Sequence, residues 1–302
     1  MRPADRLVEA LLPLALVAVG LALVLPSEAV AARGDLMLAA LVALTALGIA
    51  PRDLWAARRR WRAVLALSLV PFMVLVPLAW AISRLFDGPV REGVLTLGLS
   101  STEVAAVGLV ALAGGDAALT LGALAGSLVA AATIGPLLVS GLASGPATAD
   151  PAELLGRFAL VVLAPLAVGV AARVTWPRLA RGEPWCAGGS ALAVVALIYA
   201  SLSGAPSGDD LVPALAGSIA FLGLSALPAL GWARLVADRD GVAVAFTVGL
   251  RDFAVAATLA AQAFGPRAAA VGGIYGVLML IAGAVATAVL RRRAGQAASA
   301  TG

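Results

Sequence analysis

Between Leu11 and Leu290 the chain is a near-continuous succession of apolar segments of about twenty residues, joined by short polar connections. With 62% hydrophobic and only 13% charged residues, it lacks the polar surface needed to cover a water-soluble core. Inside a bilayer each backbone N–H and C=O must find an internal partner, so apolar spans of this kind fold as helices. The expectation is an all-α polytopic membrane protein. Arg2 and Arg6 precede an apolar run from Leu11 to Leu25 that leads straight into further spans, so we read it as the first helix and not as a cleaved signal.

Ten transmembrane helices are predicted: Leu7–Leu25, Asp35–Ala50, Trp61–Phe86, Glu92–Ala113, Asp116–Ala143, Ala152–Val174, Cys186–Leu202, Leu211–Val236, Val242–Phe264 and Arg267–Leu290. Pro71, Pro77, Pro165 and Pro228 fall inside spans, where proline is tolerated and kinks are expected. Arginine placement tests the count. Arg33, Arg84, Arg91, Arg157 and Arg267 fall on one side, Arg251 lies within a span, and all the other arginines fall on the opposite side. That bias places the arginine-rich side, and both termini, in the cytoplasm, and fits a multi-pass protein of the inner (plasma) membrane. The cluster Arg58–Arg60 with Arg62 is explained by this topology, with anionic lipid headgroups as a second reading.

All 21 basic residues are arginine, and there is neither lysine nor histidine. Without a basic face interleaved with aromatics, no nucleic-acid partner is expected. The absence of histidine removes imidazole metal sites, and the single cysteine, Cys186, permits no internal disulfide or thiolate cluster. No metal and no cofactor is therefore expected, and no nucleophile has an evident base, so the chain does not read as an enzyme.

The Gly/Ser/Pro-rich stretch 144–151 divides the spans into two sets of five, over residues 1–146 and 147–302. An odd number of spans per half forces the second half to enter the membrane from the opposite side, the inverted-repeat design of many secondary transporters. Gly93-Val94 matches Gly241-Val242, and at the same offset Glu103 falls opposite Arg251. Gly115-Asp116 aligns with Gly265-Pro266 after a two-residue shift.

These corresponding places carry the charges. GVLTLGLSSTEVAAVGLVALAGGDAAL (93–119) contains Glu103, and VGLRDFAVAATLAAQAFG (248–265) contains the pair Arg251-Asp252. One ionised side chain at the centre of a membrane helix costs about 2.5–3.5 kcal/mol on insertion scales, so such residues mark a site by default. We expect helices 4 and 9 to be interrupted around Ser100-Ser101-Thr102 and Gly249-Leu250, and to cross there with Glu103 and Arg251 as partners. A fixed bridge between Arg251 and Glu103 or Asp252 that only holds two helices together is the structural alternative. Asp116 reads as a helix cap, and Asp209, Asp210, Asp238 and Asp240 read as solvated loop charges. Thr258 and Gln262 are weaker polar candidates, as readily helix–helix hydrogen-bonding residues as ligand contacts.

VGLRDFAVAATLAAQAFGPRAA followed by GGIYGV resembles the ninth and tenth helices of the bile acid:sodium symporter family, and residues 93–120 resemble its fourth helix. The family lies within the bile/arsenite/riboflavin transporter superfamily. The resemblance implies a core domain of helices 3–5 and 8–10, a panel of helices 1, 2, 6 and 7, and a substrate cavity between them. It also implies where the family's sodium ligands would lie. Its crossover Glu, Gln and Asn align with Thr247, Arg251 and Asp252, its fourth-helix Ser-Asn pair with Ala106 and Val107, and a third-helix Gln falls near Phe72. The usual sodium sites are thus largely dismantled. The arsenite efflux family matches too, but its Asn-Asn-Phe-Glu motif falls on Arg251-Asp252-Phe253-Ala254, which argues against arsenite extrusion.

The expected function is secondary active transport of a small or amphipathic organic anion by alternating access. Arg251 would engage the anionic group, Ser100, Ser101, Thr102 and Thr247 would supply neutral contacts, and Glu103 and Asp252 would serve as counter-ions or coupling groups. Sodium coupling is doubtful on the substituted ligands, which leaves proton coupling or facilitated transport. The rival expectation is a non-transporting membrane sensor or scaffold that retains a transporter fold.

Overall fold

The computed structural model describes residues 10–142, 150–176, 178, 182–204, 208–236 and 238–300. Residues 143–149, on which most of the expected boundary between the two halves falls, lie outside the described residues. The described chain is helical and carries no strand, only one isolated two-residue bridge. In order the helices are α1 (Leu11–Val24), α2 (Glu28–Ala31), α3 (Gly34–Gly48), α4 (Pro51–Arg59), α5 (Trp61–Ser83), α6 (Gly88–Leu99), α7 (Ala105–Leu112) and α8 (Ala117–Leu142). After residue 150 come α9 (Pro151–Phe158), a π-helical turn (Ala159–Leu163), α10 (Ala164–Thr175), α11 (Glu183–Ser203), α12 (Gly208–Ala233), α13 (Asp238–Gly249), α14 (Phe253–Phe264) and α15 (Pro266–Ala300).

Among the described residues, six helical stretches are long and apolar enough to cross a membrane: Trp61–Ser83, Ala117–Val139, Pro151–Thr175, Pro184–Ser203, Asp210–Ala233 and Pro266–Arg292. Leu11–Val24, Gly34–Gly48 and Phe253–Phe264 are shorter apolar helices. The chain is a multi-pass membrane protein. The expected fourth and ninth spans are each split, into α6 with α7 and α13 with α14. The π turn stands just before Pro165, where a missing amide and a ring against the preceding turn disfavour regular α geometry.

Which face a helix buries follows its composition. Every residue of α14 from Phe253 to Ala260 is buried, as expected of a helix apolar all round. By contrast α5 and α12 leave Met73, Val212 and Leu227 exposed, the pattern of a surface whose solvent is lipid. α14 packs chiefly on α15 and α6, α12 on α13, and α5 on α6 and α8. α1, α3, α10 and α11 pack mainly among themselves. Small residues set the close approaches. A Cβ at Gly276 of α15 would fall 2.6 Å from the Phe253 ring, and one at Gly272 would fall 2.9 Å from the Ala257 amide nitrogen.

Candidate functional site

The split helices meet at their breaks. Between α6 and α7 the backbone leaves helical geometry at Ser100, which is extended at φ −80° and ψ 167°, and between α13 and α14 Asp252 is extended at φ −72° and ψ 104°. The two extended pieces lie side by side with Thr102 and Arg251 as an antiparallel bridge. The Asp252 amide donates to the Ser101 carbonyl at 2.8 Å, and the Glu103 amide donates to the Leu250 carbonyl at 3.1 Å. Breaking two helices deep in an apolar core exposes N–H and C=O groups, and each break supplies partners for the other.

Hydroxyls complete the satisfaction. The Thr102 amide donates to Ser127 Oγ of α8 at 3.0 Å, and the Arg251 amide donates to the Tyr275 hydroxyl of α15 at 3.1 Å. Thr102 Oγ1 donates to the Thr247 carbonyl at 3.1 Å, and Ser100 Oγ to the Leu97 carbonyl at 2.8 Å. Asp252 caps α14, its Oδ1 accepting from the Ala254 and Val255 amides at 2.9 and 3.0 Å, while its Oδ2 accepts from Ser101 Oγ at 3.4 Å. Glu103 Oε1 accepts from the Ala105 amide at 3.3 Å, and its Oε2 is buried without a hydrogen-bond partner.

The structure thus brings together all the residues singled out for the site: Ser100, Ser101, Thr102, Glu103, Thr247, Arg251 and Asp252, each no more than 1% exposed. It does not pair them as the sequence offset implied. Glu103 and Arg251 form no ion pair; the pairing runs through backbone atoms instead. Extended backbone sends successive side chains to opposite faces. The bridge therefore puts Thr102 and Arg251 on one face, and Ser101, Glu103 and Asp252 on the other. The Arg251 guanidinium lies 5.1 Å from the Phe72 ring centroid, and none of its three nitrogens has a hydrogen-bond partner. Nor does any carboxylate among the described residues pair with it, so the fixed structural bridge is not formed.

A cavity of about 570 Å³ opens at the far end of α14. Its wall includes Glu28, Asp35 and Arg157, Ser201 and Ser203 of α11, and Ala257, Thr258 and Gln262 of α14. Gln262 Nε2 donates to Asp35 Oδ1 at 2.8 Å, tying α14 to α3. Thr258, the deepest polar residue of α14 on this wall, lies six residues past Asp252, about 9 Å along the helix axis. Asp35 looked like nothing more than a helix start, and Ser201 and Ser203 gave no signal in an Ala/Leu/Ser-rich span.

Away from this cavity, Arg60 precedes α5 and reaches two carboxylates, one before α8 and one in α13. It donates to Asp116 Oδ2 at 2.8 Å and binds Asp240 through both Asp oxygens. Asp116 also caps α8, accepting from the Leu119 amide at 2.9 Å as expected. Asp240 is not the solvated loop charge that its sequence neighbours implied. Its hydrogen bond from Arg60 holds it below the usual aspartate range, and that bond likewise raises Arg60.

An all-helical, multi-pass membrane protein whose two broken helices meet in its buried centre is the class that the fold and this arrangement define. The sequence profile of the SBF-like CPA transporter family matches residues 9–291, so the chain belongs to that family and is a membrane transporter of the bile acid:sodium symporter-like kind. No curated protein matches the chain.

Proposed function

We propose that the protein is a secondary active transporter that moves a small or amphipathic organic anion across the inner membrane by alternating access, with Arg251 as the anion-binding residue. One observation carries this reading. A guanidinium that is fully buried and donates no hydrogen bond is costly, and an incoming carboxylate or sulfonate supplies both the missing charge and the missing acceptors. Ser100, Thr102 and Thr247 supply neutral contacts on the Arg251 side, whereas Ser101 stands on the opposite face and donates to Asp252. Glu103 and Asp252, on the other face of the bridge, are the counter-charges, and one of them carries a proton during the cycle. With Arg251, Thr247, Ala106 and Val107 at the family's ligand positions, the reading favours proton coupling or facilitated transport over sodium coupling.

In this reading ten spans form two inverted five-helix repeats, residues 1–146 and 147–302, with both termini cytoplasmic. The matched hydroxyl props on Thr102 and Arg251 support the repeat, since each comes from the helix that follows the broken one. Helices 3–5 and 8–10 form the core, helices 1, 2, 6 and 7 the panel, and the 570 Å³ cavity is the outer access path between them.

Uptake of a panel of radiolabelled carboxylates and sulfonates into proteoliposomes, under a sodium gradient and then a pH gradient, tests the reading. Expected is uptake that follows the pH gradient or the solute gradient alone and is lost in Arg251→Gln. Uptake that is driven only by sodium would sink the coupling assignment, and uptake indifferent to Arg251→Gln would sink the binding assignment.

A further inference from the structure

We infer that the cavity between α3, α11 and α14 recognises an ammonium group, so that the transported anion is a zwitterion with the positive group held at Asp35 and Gln262. The inference rests on the transport reading above and adds the class of substrate. Three charged side chains line the cavity: Glu28 and Asp35 are negative and Arg157 positive. A simple organic anion entering it would meet a net negative wall before it reached Arg251, whereas a molecule with both charges finds a partner for each.

The second observation is independent of charge. The Gln262 amide spends its nitrogen on Asp35, which leaves Oε1 as an acceptor, and that oxygen is buried without a partner on a side chain only 9% exposed. Ser203, on the facing helix of the same cavity, has its hydroxyl oxygen buried and unpartnered as well. A primary ammonium carries three donors and no acceptor. The residues of the wall carry what such a group needs: the Asp35 carboxylate and, buried in the wall without a partner, the Gln262 carbonyl oxygen and the Ser203 hydroxyl. A carboxylate placed there would face the Asp35 carboxylate and the Gln262 carbonyl oxygen, with the Ser203 hydroxyl able to donate to it. The volume, about 570 Å³, suits a small molecule with a compact apolar body against Ala257, Ala261 and Leu197. Arg157, on the same wall, is placed to take the carboxylate end before transfer toward Arg251.

Two matched ligand triads test this on the full chain in lipid nanodiscs: phenylalanine, phenylpropionate and phenethylamine, then leucine, isocaproate and isoamylamine, with binding followed by calorimetry. The amino acid should bind at least about tenfold more tightly than its deaminated acid in one triad or both, the worth of one charge-assisted hydrogen bond. Asp35→Asn should erase that advantage by weakening the amino acid, while the deaminated acid, relieved of one negative wall charge, binds no less tightly; Asp35→Glu should retain most of the advantage. Equal or tighter binding of the deaminated acid overturns the inference, and so does an absence of binding by every amine-bearing probe. The wild-type comparison needs no variant, so a variant that fails to fold does not rescue the idea. Acid binding that depends on Arg251 but not on Asp35 sinks the ammonium site and keeps anion transport. Amine binding at Asp35 with no Arg251-dependent uptake of any acid or amino acid does the reverse.

Discussion

Thr102 and Arg251 face each other as an antiparallel bridge at the buried crossing of two broken helices, and each is held by a hydroxyl from the helix that follows: Ser127 for Thr102, Tyr275 for Arg251. Tyr275 is itself fully buried, edge-on to Phe221 with ring centroids 5.8 Å apart. Replacing it by phenylalanine preserves the packing and removes only the acceptor for the Arg251 amide. An orphaned buried donor costs about 1–3 kcal/mol, so Tyr275→Phe should lower the thermal unfolding midpoint in detergent by a few degrees. Ser127→Ala should do the same at Thr102. An unchanged midpoint in both would mean that the crossing does not depend on its props.

Arg251 should separate stability from activity. Its guanidinium is desolvated and unpaired, stacked on Phe72. Methionine fills similar volume without the charge, and replacing buried ions by apolar residues is often stabilising by about 1–4 kcal/mol. Arg251→Met is expected to raise the unfolding midpoint while abolishing anion uptake. A variant that is both less stable and inactive would instead mark Arg251 as a structural residue.

Asp252 has a local task as well as a proposed coupling role, and two substitutions tell them apart. Its carboxylate caps α14 through the Ala254 and Val255 amides. Asparagine can keep the cap, whereas alanine loses it at a cost of about 0.5–2 kcal/mol. Asp252→Ala should therefore unfold more readily than Asp252→Asn. Both should lose any dependence of uptake on the pH gradient if Asp252 is the proton carrier. Gradient dependence that survives in Asp252→Asn moves that role to Glu103.

The helical, membrane-spanning character, the three buried charges Glu103, Arg251 and Asp252, and the breaks beside them were legible in the sequence, the first from its apolar composition and the others as local departures from it. The partnership of Glu103 with Arg251 was not. It was inferred from a repeat offset, but a bridge of extended backbone alternates its side chains, and a shift of one residue changes which groups share a face. Asp240 was misread for a different reason. Nothing near it in sequence reveals Arg60, which lies 180 residues away and reaches it through the packing of α5 and α13. Gln262 and Asp35 are a similar case, since their contact joins elements 227 residues apart. Local chemistry is written in composition and period, whereas cross-chain pairing depends on which helix faces are buried against each other.

The Arg60 junction yields a pH prediction whose sign is fixed by the direction of its shift. The hydrogen bond from Arg60 lowers Asp240 in the folded protein relative to the unfolded chain. A carboxyl lowered by folding contributes stability that is fully present above its ordinary value, and loses it as pH falls through the folded value. The contribution is thus present at neutral pH and should fade only in acid, below the usual aspartate range. Both side chains are partly exposed, so the pair is worth no more than about 1 kcal/mol at neutral pH. Arg60→Gln should lower the unfolding midpoint slightly near pH 7, and the gap from the wild type should close toward pH 3. Asp240→Asn should reproduce part of that loss, since Arg60 also binds Asp116, and should add nothing to the loss of Arg60→Gln, which already removes the Arg60–Asp240 interaction. Additive losses in the double variant, or a gap that widens in acid, would refute the assignment.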